Sequence, residues 1–189
     1  MALISIDILA EKSLTVSNFP LITKDSNLIV GHCPGISYIS YLYFSLPPFP
    51  ANIIESARLV LFKTGRFLTC PKTKESIDIY PLLDYFSTKT NMHNRPKYDP
   101  SLTQGDITEG TVSVEIDLTN IVNSWAKGLL VNKGIVLSKE QQIFGFSCFG
   151  SALTKDLTLK PVLKILCQER HLPFLELQCS YKIVPPVSE

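Results

Sequence analysis

Charged side chains are scarce in this sequence: they make up 19% of its 189 residues, against about 25% in ordinary soluble domains. The formal net charge is +1, so there is no basic surplus to neutralise phosphates, and nucleic acid is a poor partner. No apolar run of about 18 residues occurs, which argues against a membrane-spanning segment. Residues 1–12 have no basic segment followed by an apolar one, so we expect a chain made without a signal peptide.

Motifs that carry catalysis or bind metals are also missing. No GxSxG, HExxH, P-loop or GxGxxG pattern is present, and the carboxylates are scattered along the chain. The cysteines form no CxxC pair, and His32, His93 and His171 stand far apart, which is not the spacing of a zinc site. We therefore predict a protein that is not an enzyme and has no metal or cofactor, with an unrecognised catalytic site as the alternative.

The sequence has an odd number of cysteines, five in all. At least one of them is left as a free thiol or bonds to another molecule. Cys33 and Cys70 lie beside prolines in predicted loops, so these two are the candidates for crosslinks between subunits. The alternative is that the cysteines are small buried hydrophobic residues.

Period-two alternation of apolar residues is the dominant pattern. It is clearest in residues 4–8, 39–46, 57–62, 112–118 and 175–183, and it is typical of β-strands. Residues 57–62 are apolar on both faces, which predicts a central strand, whereas 112–118 has one polar face. Together with short apolar runs elsewhere, the pattern predicts an all-β, jelly-roll-like sandwich of about eight or nine strands with one or two short helical turns.

Residues 117–134 contain the clearest helical signal. Asp117 or Thr119 can cap a turn, and Gly128 and Gly134 allow the chain to reverse into the next strand. Trp125 is predicted to pack in the core, with a role as a ligand platform as the alternative. The apolar positions at helical spacing are Leu118, Ile121, Val122 and Trp125. We also predict a short turn over residues 80–86 and, over 87–110, a long loop, with a loop that contains one short strand as the alternative.

Three blocks of sequence resemble the DNRLRE domain, a bacterial β-sandwich family related to carbohydrate-binding modules. They are residues 40–62, with the pattern YLYFSLPPFP followed by IESARLVLF; residues 114–137, with VEIDLTNIVNSWAKG followed by NKGIVL; and residues 146–165. The resemblance implies one sandwich domain over residues 1–168. Residues 169–189 would add a strand and a tail, either within the same domain or for assembly.

Two functions follow as expectations from this resemblance. The first is a structural, self-assembling protein of a bacterial outer layer, such as a spore coat or an appendage, located at the bacterial or spore surface, with the cytoplasm as the alternative. The second is a polysaccharide-binding module, since aromatic faces and polar partners are what sugar sites need. The candidate ligand-binding residues are Tyr38, Tyr41 and Tyr43, predicted to form an aromatic face on one strand, and His93, Arg95 and Tyr98, which belong to a dense polar and aromatic cluster at residues 91–99. The simpler interpretation is half-buried strand residues and a solvated loop.

Overall fold

Alternation of apolar and polar side chains places much of the chain in strands. The computed structural model describes residues 3–19, 27–49, 54–64, 68–69, 77–139, 145–168 and 181–184. The strands are β1 (Leu3–Leu9), β2 (Lys12–Ser17), β3 (Asn27–Cys33), β4 (Ile36–Tyr43), β5 (Ile54–Phe62), β6 (Leu68–Thr69), β7 (Asp78–Pro81), β8 (Ile107–Glu109), β9 (Ser113–Asp117), β10 (Ile135–Ser138), β11 (Gly145–Gly150), β12 (Val162–Gln168) and β13 (Tyr181–Val184). One helix, α1 (Thr119–Ala126), and a 3-10 turn at Leu157–Leu159 complete the described elements.

The strands form two antiparallel sheets. The first has the order β13-β1-β12-β5-β9-β8, and the second has the order β6-β11-β3-β4-β10-β7, with β2 paired along β4. The prediction of an all-β sandwich is therefore confirmed. More strands are present than predicted, because strands as short as β6 and β8 are too short to show alternation. No helix among the described residues is long and apolar enough to cross a membrane.

The main core lies between the sheets and is built from alternate residues of their strands. The central strand predicted at residues 57–62 is β5, which lies between β12 and β9 and buries Ala57, Leu59 and Leu61 completely. In β9 only every second residue is buried, as expected for a strand with one polar face. The C-terminal strand β13 extends the first sheet by pairing with β1 of the same chain.

Residues 117–134 contain the predicted helical turn, α1, which closes one end of the sandwich. Leu118 occupies the N-cap position of α1, which has no side-chain cap hydrogen bond. The Asp117 carboxylate, one residue earlier, accepts the N–H of Thr119, the first helical residue, at 2.8 Å. The Thr119 hydroxyl accepts the Ala57 N–H at 3.0 Å and so ties the helix to β5. The residues that α1 buries are Ile121, Val122 and Trp125.

The two predicted turn glycines take backbone conformations that other residues rarely adopt. Gly128 has φ +69° just after α1, and Gly134 has φ +97° just before β10. A Cβ atom at Gly134 would lie only 2.4 Å from the carbonyl oxygen of Leu42, whereas a Cβ atom at Gly128 would meet nothing within 4 Å. Gly134 therefore also allows a close approach of the chain to β4.

The predicted turn over residues 80–86 is wrong. Tyr80 and Pro81 belong to strand β7, Leu82 forms a β-bridge with Tyr98, and the chain then bends at Leu83 and Asp84 without forming a helical turn. This segment lies against the outer face of the second sheet. It covers a second cluster of buried residues there, which consists of Val16, Tyr41, Leu82 and Val136.

Candidate functional site

A cleft of about 600 Å³ opens between the outer face of the second sheet and the loop that follows β7. We call it the face cleft. Strands β4 and β10 supply its floor, which is formed by Ile39, Tyr41, Val136 and Ser138. The loop supplies the walls, with Leu83, Met92, Pro96 and Pro100 as the apolar residues and His93, Arg95, Lys97 and Tyr98 as the polar ones.

The loop that forms the walls is held in place by its own hydrogen bonds. The Asn91 carboxamide oxygen accepts the N–H groups of His93 at 2.9 Å and Asn94 at 3.2 Å. The two ends of the loop are joined by the Leu83 N–H, which donates to the carbonyl oxygen of Lys97 at 2.8 Å. Because these bonds define the backbone of residues 83–97, a ligand would meet a largely formed site.

Two aromatic pairs position the ring surfaces of the cleft. Tyr98 stacks on Tyr80 of β7, with the ring centroids 5.0 Å apart, and 46% of Tyr98 stays exposed. Tyr41 stacks on Phe86 at 5.5 Å and is only 1% exposed. Such pairs contribute about 0.5–1.5 kcal/mol beyond the burial of their area. Tyr98 therefore offers accessible ring surface, while Tyr41 is part of a rigid floor.

The Tyr41 hydroxyl is the buried polar group of this site. Among the residues that the structure describes, this hydroxyl has no hydrogen-bond partner. Although the side chain is buried, the hydroxyl itself still contacts solvent at the floor of the cleft. Burial raises the pKa of Tyr41, and the nearby positive charge of Arg95 acts in the opposite direction. The hydroxyl therefore stays protonated near neutral pH and is able to donate to a ligand in the cleft.

Positive charge predominates at the rim of the cleft. Arg95 and Lys97 line it and are exposed, and no described carboxylate lines it. The carboxylate of Asp84 accepts the Lys97 N–H at 3.3 Å. That of Asp99 accepts the N–H and the hydroxyl of Ser101, and these hydrogen bonds lower the pKa of Asp99. The two carboxylates nearest in sequence are thus engaged with the loop backbone and its neighbours.

Four of the six candidate residues meet in the face cleft, and two do not. Tyr41, His93, Arg95 and Tyr98 line it. Tyr43 lies beside it, in two smaller clefts. Tyr38 contacts Phe146 at a centroid distance of 6.0 Å and is 7% exposed, so the structure places it in packing.

Of the two proposed crosslinking cysteines, Cys33 lies within the described residues, and its position differs from the prediction. Cys33 is not in a loop: it is the last residue of β3, pairs with Ile36 across a tight hairpin, and is a half-buried free thiol. Cys70 lies outside the described residues. The cysteines Cys148 and Cys167 are also free, and burial raises the pKa of both thiols, as expected for small hydrophobic residues in packing positions.

Trp125 is a core residue that also borders a cleft. Its side chain is 8% exposed, as the sequence predicts, and it lines a groove of about 450 Å³ at the end of the sandwich. The indole N–H is buried and has no hydrogen-bond partner among the described residues. Such a group costs stability unless a partner is supplied. We call this groove the end cleft. It is lined by Tyr43, residues 45–49, Trp125, Ala126, Val131 and Asn132.

A buried polar network near the opposite end of the second sheet is not predicted from the sequence. His32 bonds through Nε2 to the Lys139 carbonyl oxygen at 2.8 Å and through Nδ1 to the Ser37 hydroxyl at 2.9 Å. Because a carbonyl only accepts, Nε2 carries the hydrogen. The Lys139 ammonium donates to the Ser147 hydroxyl at 2.9 Å. Lys139 and Ser147 are both buried, so the network ties strands together.

Several residues of the face cleft are absent from the candidates named on sequence grounds. Met92 and Lys97 lie within the polar cluster at residues 91–99, so a search of that whole cluster finds them. Ile39 and Val136 have a weaker signal: each is the outward residue between core-facing neighbours in its strand. An apolar residue at such a position indicates that the outer face of the sheet is covered.

Fold and geometry define the chain as a β-sandwich module with a cleft on the outer face of one sheet. No protein-family model matches the chain, and a search of curated proteins finds no match to it. The resemblance to the DNRLRE family therefore stays a prediction that rests on the three sequence blocks.

Proposed function

We propose that this chain is a non-catalytic module that binds polysaccharide in the face cleft. The observation that carries the proposal is the convergence of Tyr41, His93, Arg95 and Tyr98, contributed by a strand and a separate loop, in one preformed cleft. Its volume of about 600 Å³ lies within the range of about 300–1,000 Å³ that is typical of ligand sites. Sugar sites combine ring surface with fixed donors and acceptors, and both are present.

The charge of the rim favours acidic sugars. Arg95 and Lys97 provide donors for carboxylate or sulfate groups, and a guanidinium pairs with such groups through two parallel hydrogen bonds. Tyr98 supplies an accessible ring for a sugar face, and the Tyr41 hydroxyl supplies a donor at the floor. An acidic polysaccharide therefore fits the chemistry of the cleft better than a neutral one.

Arg95→Gln is expected to weaken retention on acidic polysaccharide about tenfold, since hydrogen bonds to charged groups contribute about 1.5–3 kcal/mol and about 1.4 kcal/mol is tenfold. The measurement is affinity electrophoresis in gels that contain polygalacturonate, alginate or hyaluronan, with xylan and dextran as neutral gels. Arg58→Gln is the matched control. Arg58 lies on β5 in the other sheet, where it pairs with Glu115 at 3.7 Å.

Two outcomes would count against this proposal. If no gel of either kind retards the wild-type protein, the chain does not bind polysaccharide in this way. If Arg58→Gln weakens retention as much as Arg95→Gln does, the effect comes from net charge and not from the face cleft.

Self-association at a bacterial outer layer is a second candidate function. Two large apolar side chains, Leu129 and Val131, are 77% and 63% exposed in the segment after α1, and exposed apolar surface of this kind favours contacts between molecules. Sedimentation velocity over a concentration series is expected to show a rising mean mass for the wild type and a smaller rise for Leu129→Ser. Leu157→Ser, at a similarly exposed position at the start of the 3-10 turn, is the control. A mass of one chain at every concentration contradicts the idea.

A further inference from the structure

A small cleft adjoins the face cleft on the same side of the second sheet. Lys12, Tyr43, Tyr85, Phe86 and Lys133 line it, and its volume is about 80 Å³. We call it the lysine cleft. Each of its lysines lies over a ring: the Lys12 ammonium is 5.4 Å from the centroid of Tyr43, and the Lys133 ammonium is 5.5 Å from that of Tyr85. Two positive charges are thereby held at one small opening.

Two contacts and the register of β4 place the lysine cleft directly beside the face cleft. Phe86 lines the lysine cleft and stacks on Tyr41, which lies in the floor of the face cleft. The Lys133 ammonium donates at 2.6 Å to the carbonyl oxygen of Leu83, a wall residue of the face cleft. Tyr41 and Tyr43 are two residues apart on β4, so they point to the same side at a spacing of about 7 Å.

The lysine cleft retains donors for a ligand. An ammonium has three donors, and Lys133 commits one of them to Leu83. Lys12 lies 3.9 Å from the Glu11 carboxylate, but both side chains are half exposed or more, and such surface pairs are weak. Tyr85 is 67% exposed beside them. The chemistry is that of the face cleft on a smaller scale: exposed ring surface next to fixed positive charge.

We propose that the lysine cleft is a second subsite for the polysaccharide chain that occupies the face cleft. This inference rests on the proposed function, and it adds that the ligand is bound as a chain of several sugars and not as a single unit. The chain crosses Phe86 from the Tyr98 side to the Tyr85 side, and Lys12 and Lys133 bind oxygens of the units beyond Phe86.

The extent of this surface sets the length of chain that it recognises. From Ile39 to Tyr43, β4 alone covers about 13 Å, and the loop residues Arg95 and Tyr98 extend the surface on one side while Tyr85 extends it on the other. A disaccharide bound in the face cleft stops short of the lysines. Affinity is therefore expected to rise with chain length until the chain reaches them.

The test compares short and long oligomers in titrations monitored by calorimetry. The probes are disaccharides and size-fractionated longer oligomers prepared from polygalacturonate, alginate and hyaluronan. Lys12→Gln is expected to lower affinity for the long oligomers about fivefold, as for loss of a cation contact of about 1 kcal/mol, and to leave disaccharide affinity unchanged, since Lys12 does not line the face cleft. Lys155→Gln removes the same charge from an exposed position in a distant loop and is expected to change neither affinity.

The outcomes separate this inference from the function on which it rests. Disaccharides that bind as tightly as long oligomers overturn the second subsite but leave polysaccharide binding in place. An equal effect of Lys12→Gln and Lys155→Gln on long oligomers also overturns it. If no oligomer binds and no gel retards the protein, the proposed function is wrong, and so is the second subsite.

Discussion

Trp125→Ala is expected to lower the free energy of unfolding by about 3–5 kcal/mol, the usual cost of deleting a buried aromatic side chain. The indole is 8% exposed and packs in the main core at the end of the sandwich that α1 closes. Since this is the only tryptophan of the chain, unfolding of the variant must be followed by circular dichroism in a denaturant series. The same change enlarges the end cleft, because Trp125 forms part of its wall.

Trp125→Phe is the matched control, and it is expected to cost much less. Phenylalanine keeps an aromatic ring in the site and removes the indole N–H that is buried without a partner, a group whose desolvation costs about 1–3 kcal/mol. The relief of that cost offsets part of the lost packing. If Trp125→Phe is as damaging as Trp125→Ala, the indole N–H has a partner in solution and its hydrogen bond contributes to stability.

The fold class follows from the sequence because it depends on local alternation. Residues 57–62 are apolar on both faces and become the central strand β5, and residues 112–118 have one polar face and contain β9. The hydrogen bond at the start of α1 is equally local, since Asp117 and Thr119 are two residues apart. What alternation does not encode is which strands are neighbours. The order of both sheets depends on contacts between residues distant in the chain.

The candidate site is predictable in its residue types and less so in its geometry. The polar and aromatic cluster at residues 91–99 marks the loop, and Tyr41 marks the strand, but the bridge between Leu82 and Tyr98 decides that the two meet. Tyr38 is a candidate residue that does not line the face cleft. It is an odd number of residues from both Tyr41 and Tyr43, so period two places it on the opposite face of β4, and the prediction of one face with three tyrosines is wrong for Tyr38.

Gly134 lies where the framework of the second sheet meets the residues around both clefts. Its N–H donates to the Asn132 carboxamide oxygen at 3.1 Å, and its carbonyl oxygen accepts the Leu82 N–H at 2.9 Å. An added Cβ atom would lie 2.4 Å from the Leu42 carbonyl oxygen and 3.3 Å from the ring of Phe86. A side chain here therefore presses on β4 and on the aromatic residue that separates the face cleft from the lysine cleft.

Gly134→Ala is expected to lower the free energy of unfolding by about 3 kcal/mol, because the backbone strain of about 1–2 kcal/mol at positive φ is joined by an overpacking cost of about 1–3 kcal/mol. Gly128→Ala is the control at φ +69° with open space around its Cβ position, and only the strain applies to it. Denaturation followed by Trp125 fluorescence measures both variants.

A comparison of these two glycines also tests the close approach of residue 134 to β4. Equal losses of stability for Gly128→Ala and Gly134→Ala would mean that the chain moves away from Leu42 at little cost. If Gly134→Ala is the more damaging, the added methyl group is expected to displace β10 or Phe86, and the effect should extend to binding. The variant should then lose affinity for long acidic oligomers as well as stability, whereas Gly128→Ala should keep the affinity of the wild type.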